Sequence, residues 1–346
     1  MAEPFVHEQG ASRVVFGTGR LASAAAEVER LGGLRVMLIA DRHSARHAET
    51  VALALGDRLC GRIEETATHV PAALADAATE QAIQIRADLL VCVGGGSATG
   101  LAKIVALRTG LRILAVPTTY AGSEMTPIWG VTGDGRKRTG RDPVVQPVTV
   151  VYDPALTLDL PARLSAQSGM NALAHLVEAL YAPQVSPLVA TAAVEGVTVL
   201  ADALPKVVAD PLDLAARESA LRGAWLAGWV LGLAPMGLHH KICHILGGAH
   251  GLPHAATHAA VLPYVAAYNG AYLHRLDGVL REAATGLWDL RESIGASGGL
   301  ADLGLDGNAL GEVAELVTAE RPANPRAVDA DGVRRILLAA FEGARP

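Results

Sequence analysis

Short runs of β-branched and aliphatic residues punctuate the first half of the chain, and longer Ala-rich stretches with helical spacing separate them. The runs at 35–40 (RVMLIA), 88–93 (DLLVCV), 112–116 (RILAV) and 148–152 (VTVVY) predict strands, with helices expected at about 20–31, 43–56, 71–86 and 98–109. This alternation is that of a parallel sheet with crossover helices. After Asp153-Pro154 the strand signals stop, and apolar-periodic segments at 168–182, 187–204, 213–233, 237–248 and 330–342 predict an all-helical second half. The expected organisation is an α/β dinucleotide-binding domain over 1–155 and an all-α domain over 156–346. No Ser- or Gly-rich linker marks the change, so the halves are expected to pack directly and leave a ligand cleft between them. The least polar stretch, 223–238 (GAWLAGWVLGLAPMGL), carries repeated Gly and Pro235 and is shorter than the roughly 20 apolar residues of a membrane span. It reads as a buried core helix.

Composition narrows the classes of function. A length of 346 residues suggests about two domains. A hydrophobic share of 51% against 18% charged excludes a disordered chain. The 29 basic and 35 acidic residues give a net charge of -6 without basic blocks, which leaves no electrostatic footprint for a nucleic acid or an anionic membrane. Three cysteines with no CxxC pair, and a start without a basic, apolar export signal, point to the cytoplasm. Twelve histidines are the one pointed feature.

Three segments at expected strand ends suit a dinucleotide. Gly94-Gly95-Gly96-Ser97 follows the strand at 88–93 and opens the helix that carries Lys103. Its glycines let the backbone approach a pyrophosphate, and the helix N-terminus with Ser97 offers donors. The segment is neither GxGxxG nor a Walker sequence. Thr118, Thr119, Tyr120 and Ser123 follow the next strand, where ligands of open α/β sheets collect. Asp41 ends the strand at 35–40, where a carboxylate can accept ribose hydroxyls and repel a 2′-phosphate; the same residue also suits a helix N-cap.

The densest chemistry lies at 236–263 (MGLHHKICHILGGAHGLPHAATHAAVLP), which holds six of the twelve histidines. His240 and His244 share a helix face, and the glycines and Pro253 that follow could fold His254 back toward it. Asn171 and His175 form a second i, i+4 pair upstream, so two helices together could build a four-point site. His239, His250 and His258 read as surface or supporting residues.

Together, GGGS, PTT…GSE, the 171/175 pair and H-x3-H-x9-H at 240, 244 and 254 resemble the iron-containing alcohol dehydrogenase family, with motifs in order from Val15 to Pro325. The resemblance implies a dinucleotide-binding domain followed by a helical domain, the fold shared with dehydroquinate synthase. The family's metal ligands would fall on Asn171, His175, His240 and His254, so its only anionic ligand becomes a neutral amide, and hard cations favour charged oxygen. This sequence is similar to the family's metal-independent branch, whose members saturate a C=C bond conjugated to a ketone in a small dicarboxylate.

The implied site takes NADH, with NADPH a possible substitute, and no metal. His244, His254, His240, His175, Asn171 and Tyr120 would be its catalytic residues. His254 or His240 would stabilise an enolate, and His244 would relay the proton. Asp41, Gly94, Gly95, Gly96, Ser97, Thr118, Thr119 and Ser123 would hold the cofactor. The basic segment Arg136–Arg141, read as a loop, and Lys241 are candidates to neutralise the two carboxylates. The resemblance also implies a homodimer, to which an apolar strand near 12–16 could contribute. A metal-dependent alcohol or polyol dehydrogenase of the same family is the alternative.

Overall fold

A computed structural model describes residues 7–133 and 136–346. The chain forms two compact units, Gln9–Leu160 and Pro161–Pro346, the second including residues 7 and 8. The last strand ends at Tyr152 and the first long helix of the second unit begins at Ala162.

The first unit runs β1 (Arg13–Phe16), α1 (Ala24–Arg30), β2 (Val36–Ala40), α2 (Ala45–Leu55), β3 (Leu59–Ile63), α3 (Ala72–Gln84), β4 (Leu89–Gly94), α4 (Gly96–Thr109), β5 (Arg112–Pro117), β6 (Ile128–Gly133), β7 (Arg136–Arg141) and β8 (Thr149–Tyr152). Six strands form one sheet in the order β1-β8-β5-β4-β2-β3, and every pairing in it is parallel. The four expected strands are its four inner members. β2, β4 and β8 are buried along their whole length, as helix-covered parallel strands must be.

The strands without a strong sequence signal are peripheral. β3 (LCGRI) is a half-buried edge, and a Cys-Gly-Arg run gives no apolar stretch. β1 is the other edge, paired with β8. Arg136–Arg141 is a strand rather than a loop: it pairs antiparallel with β6, from Ile128 opposite Arg141 to Gly133 opposite Arg136. Charged and threonine side chains suit an exposed two-stranded ribbon, so their polarity misread as loop. The side chains of Arg136 and Lys137 lie outside the described residues.

The second unit contains α5 (Ala162–Tyr181), α6 (Pro187–Ala209), α7 (Leu214–Leu233), α8 (Leu238–His250), α9 (His254–Tyr268), α10 (Ala283–Ser293), α11 (Leu310–Ala319) and α12 (Ala330–Glu342), with no strand among its described residues. α5 is its axis, buried at every position from Gly169 to Tyr181. A helix hydrophobic all round belongs in the middle of a bundle, and any polar group on it must find partners there. α6 alone among the described residues is long and apolar enough to cross a membrane by length and composition, yet half of that stretch is buried inside the unit. Close approach of α6 to α5 depends on Gly196, where a Cβ would lie 2.7 Å from Leu176 Cδ2. The segment 223–238 is not one helix. α7 stops at Leu233, because Pro235 cannot continue the hydrogen-bond ladder, and α8 starts afresh at Leu238.

Candidate active site

The strand order reverses between β2 and β4, since β3 lies on one side of β2 while β4 and β5 lie on the other. Ligands of open parallel sheets bind at the carboxyl ends flanking such a reversal. Three expected segments converge there. Asp41 follows β2, and its Oδ1 accepts the Ser44 N–H (2.9 Å), capping a short 3-10 turn. Its Oδ2 accepts the Gly95 N–H (2.9 Å). Both carboxylate oxygens are thus tied to backbone, and the two sequence readings of Asp41 meet: it is an N-cap that also fixes the glycine turn.

Gly94 sits at φ +147, and a Cβ there would lie 2.2 Å from Asp41 Oδ2, so only glycine fits. The Thr118 N–H donates to the Gly94 carbonyl (3.1 Å), and Thr118 Oγ1 lies 3.2 Å from Ser44 Oγ. Gly96 is exposed, while Gly95, Ser97, Thr119 and Ser123 are half-exposed, so a ligand can reach them. Tyr120 is fully buried.

Lys103 was visible in the sequence only as part of the helix after the glycines. It is 1% exposed, and its ammonium donates to the carbonyls of Ser123 (2.6 Å), Thr126 (2.7 Å) and Ile128 (2.8 Å) and to Thr126 Oγ1 (3.0 Å). Burial pulls its pKa down to about 7, although Glu124 opposes the shift. Glu124 itself, pushed up by burial, takes the Tyr152 hydroxyl (2.7 Å). Lys103 therefore clamps the Thr-rich segment against α4.

In the helical unit, Asn171, His175 and Glu178 project from α5 at i, i+4 and i+7, one helix face. The Asn171 amide nitrogen is 3.3 Å from His175 Nε2, and His175 Nδ1 is 2.8 Å from His240 Nε2. His240 Nδ1 makes a short contact with Glu178 Oε2, while Glu178 Oε1 accepts the His239 backbone N–H (2.7 Å). Burial opposes the charge on Glu178, but His240, through its field and its hydrogen bond, outweighs it and holds the carboxyl below the usual range.

His254 opens α9 and does fold back. Its ring stacks beside His244 at 6.3 Å between centroids, and His244 lies 6.0 Å from His240. His244 and His254 are the exposed members of the cluster, whereas His175 and His240 are buried. His239 and His258 are not surface residues: both are 0% exposed and 2.9 Å apart between ring nitrogens. The spacing of nineteen residues across the α8–α9 break hid this pairing. Glu178 was missed as well, although a lone carboxylate three residues after His175 in an apolar helix was a readable signal. Lys241 is engaged with Glu320 (3.1 Å) on the unit's surface, away from the role expected of it.

Comparison with known proteins now settles the class. The sequence pattern of iron-containing alcohol dehydrogenase matches residues 11–154, and that of the Fe-containing alcohol dehydrogenase family, C-terminal, matches residues 165–341. The chain belongs to the iron-containing alcohol dehydrogenase family. Within it, a maleylacetate reductase of Burkholderia cepacia is 45% identical over 99% of both chains. The crystal structure of maleylacetate reductase from Rhizobium sp. strain MTP-10005 superposes with a TM-score of 0.96 at 45% identity, and that from Agrobacterium tumefaciens with 0.96 at 44%, each covering 100% of both chains.

The buried titratable groups bear on stability in two ways. Lys103→Met keeps the stem but removes a donor shared by four oxygens, and is expected to cost about 1–3 kcal/mol in chemical denaturation; an unchanged midpoint would contradict the clamp. Burial also holds His239 down to about 3 and His258 well below its ordinary value, whereas in the unfolded chain both titrate near 6.5. Below about pH 6.5 the unfolded chain therefore binds more protons, and stability falls as pH drops. The melting temperature should decline from pH 7 to pH 5, a window above the ordinary glutamate range, with a shallower decline in His258→Gln. A flat profile would show that the rings are not held neutral.

Proposed function

We propose that the chain is a maleylacetate reductase, reducing the C=C bond of 2-maleylacetate to 3-oxoadipate with NADH. The observation that carries this reading is the cluster of imidazoles standing where the family's metal ligands fall, with Asn171 in place of the only carboxylate. The relatives named above, 44 to 45% identical over essentially the whole chain, support it.

The residues at the ligand positions do not fit a divalent cation. The nearby carboxylate, Glu178, is turned onto His240 Nδ1 and the His239 N–H, the Asn171 amide nitrogen faces His175, and the distal nitrogen of His240 is committed to His175 Nδ1. Among the described residues, the one group of His, Cys and carboxylate side chains whose ligand atoms lie within 4.8 Å of one another is His239, Cys243 and His258, none of which occupies a family ligand position. No step is therefore routed through a metal.

The glycine turn, Asp41, Ser97 and the Thr118–Ser123 segment fit a dinucleotide, with the backbone of Gly94–Gly96 free of the Cβ atoms that would block a pyrophosphate. A half-buried carboxylate at Asp41, beside that turn, disfavours a 2′-phosphate and so favours NADH. Bound there, a reduced nicotinamide supplies the hydride, which adds to the alkene carbon β to the ketone while the π electrons move to the ketone oxygen. His254, at the first turn of α9, can donate to the enolate oxygen with the helix N-terminus behind it, and His244 can deliver the proton to the α carbon. His240 is a supporting group, since both of its nitrogens are engaged. We further read the protein as a cytoplasmic homodimer with a small dicarboxylate as its only substrate partner; its three unpaired cysteines suit a reducing compartment.

The test is anaerobic mixing of protein, NADH and freshly hydrolysed dienelactone. One NADH consumed per maleylacetate is expected. No consumption, together with turnover of a simple alcohol and NAD, would replace this reading with that of a metal-dependent alcohol dehydrogenase. His244→Ala should lower kcat by about 10²–10⁴-fold and leave NADH binding intact; equal loss of NADH affinity would move His244 into the cofactor site.

A further inference from the structure

We infer that Glu178 is a positioning residue of the reduction: it sets the direction of every N–H in the line His240–His175–Asn171 that backs the two exposed imidazoles. The inference rests on the proposed reductase reading for its consequence, but not for its geometry.

Glu178 Oε1 is taken by the His239 backbone N–H, and Oε2 meets His240 Nδ1. A carboxylate only accepts, so His240 carries its proton on Nδ1. A neutral ring protonated there has a lone pair on Nε2, and the atom 2.8 Å away, His175 Nδ1, must be the donor. His175 in turn has its lone pair on Nε2 and accepts from the Asn171 amide nitrogen at 3.3 Å. All three bonds therefore run toward Glu178, and both rings are held as the Nδ1–H tautomer, the one free histidine disfavours.

The opposite direction demands a change at the far end. If His240 donated through Nε2, His175 would present an N–H at Nε2 to the amide nitrogen, donor against donor. Relief would require Asn171 to turn its amide and offer Oδ1, the buried oxygen that otherwise has no partner. An amide can serve the line in either direction, while a carboxylate at 171 could never donate to it. Among the described residues no Lys or Arg pairs with Glu178; besides the Tyr181 hydroxyl at 3.5 Å from Oε1, the neutral His240 ring is the side chain that donates to it. A fixed charge answered by one imidazole locks that ring, and His240 lies one helical turn before His244, their rings in edge contact.

Glu178→Gln tests the direction. With its oxygen kept on the His239 N–H, its amide nitrogen donates to His240 Nδ1 and reverses the line. In histidine-15N-labelled wild-type protein, His240 and His175 should show the Nδ1–H tautomer, and in Glu178→Gln the Nε2–H tautomer. The variant's kcat should fall on the order of 10–100-fold with the KM for NADH within about twofold, and Glu178→Asp should recover part of the loss. Nε2–H tautomers in the wild type, or a Gln variant with wild-type kcat, would overturn the inference. The wild-type spectrum decides the point even if the Gln variant does not fold. It needs no substrate, so failure to reduce maleylacetate would sink the proposed function and leave this result standing.

Discussion

A carboxylate inside an apolar helix bundle has to be answered on the spot, and that requirement organises the helical unit. Glu178 is 1% exposed on the axial helix α5, and its two oxygens are met by a backbone N–H and a ring nitrogen of α8. Leaving such a buried carboxylate short of one donor typically costs about 1–3 kcal/mol or more, so α5 and α8 are bound in one register. From that register the rest follows. His240 is held against His175, His175 against Asn171, and the next turn of α8 brings His244 to the surface beside His254.

The α/β unit meets the same demand with the opposite sign. Lys103 is a buried cation whose donors all go to oxygens of residues 123–128. Asp41 divides its two oxygens between its own cap and the glycine turn. In both units an expensive buried or half-buried charge is spent on fixing a segment rich in polar groups, rather than on a solvent-facing ion pair. This explains how loops rich in Gly, Thr and Ser can hold a defined shape while keeping their N–H and O–H groups available.

Much of this was legible in the sequence, for identifiable reasons. β2, β4, β5 and β8 are buried on both faces, so their runs are apolar, while β1, β3, β6 and β7 lie at edges or in the ribbon, where mixed composition hides a strand. Spacing revealed His240 with His244 and Asn171 with His175, because helical geometry turns four residues into one face. It could not reveal that His239 and His258 meet in the core, since that contact depends on how α9 turns back after Gly251 and Pro253. Nor could it show which groups answer Glu178 and Lys103, since the α8 atoms on Glu178 and the oxygens of residues 123–128 on Lys103 are brought close only by folding. Asn171 stood out as the head of an i, i+4 pair with His175, and the hydrogen-bond line from it through His175 to His240 gives that spacing its physical content.

The central claim is that imidazoles and an amide, not a bound cation, handle the charge of the reduction. Metal content and turnover measured on the same chelated, dialysed sample test it most directly. Full NADH-dependent turnover with far less than one equivalent of metal per chain is the result this account predicts. Activity lost on chelation and restored in proportion to added iron or zinc, up to one ion per chain, would contradict it.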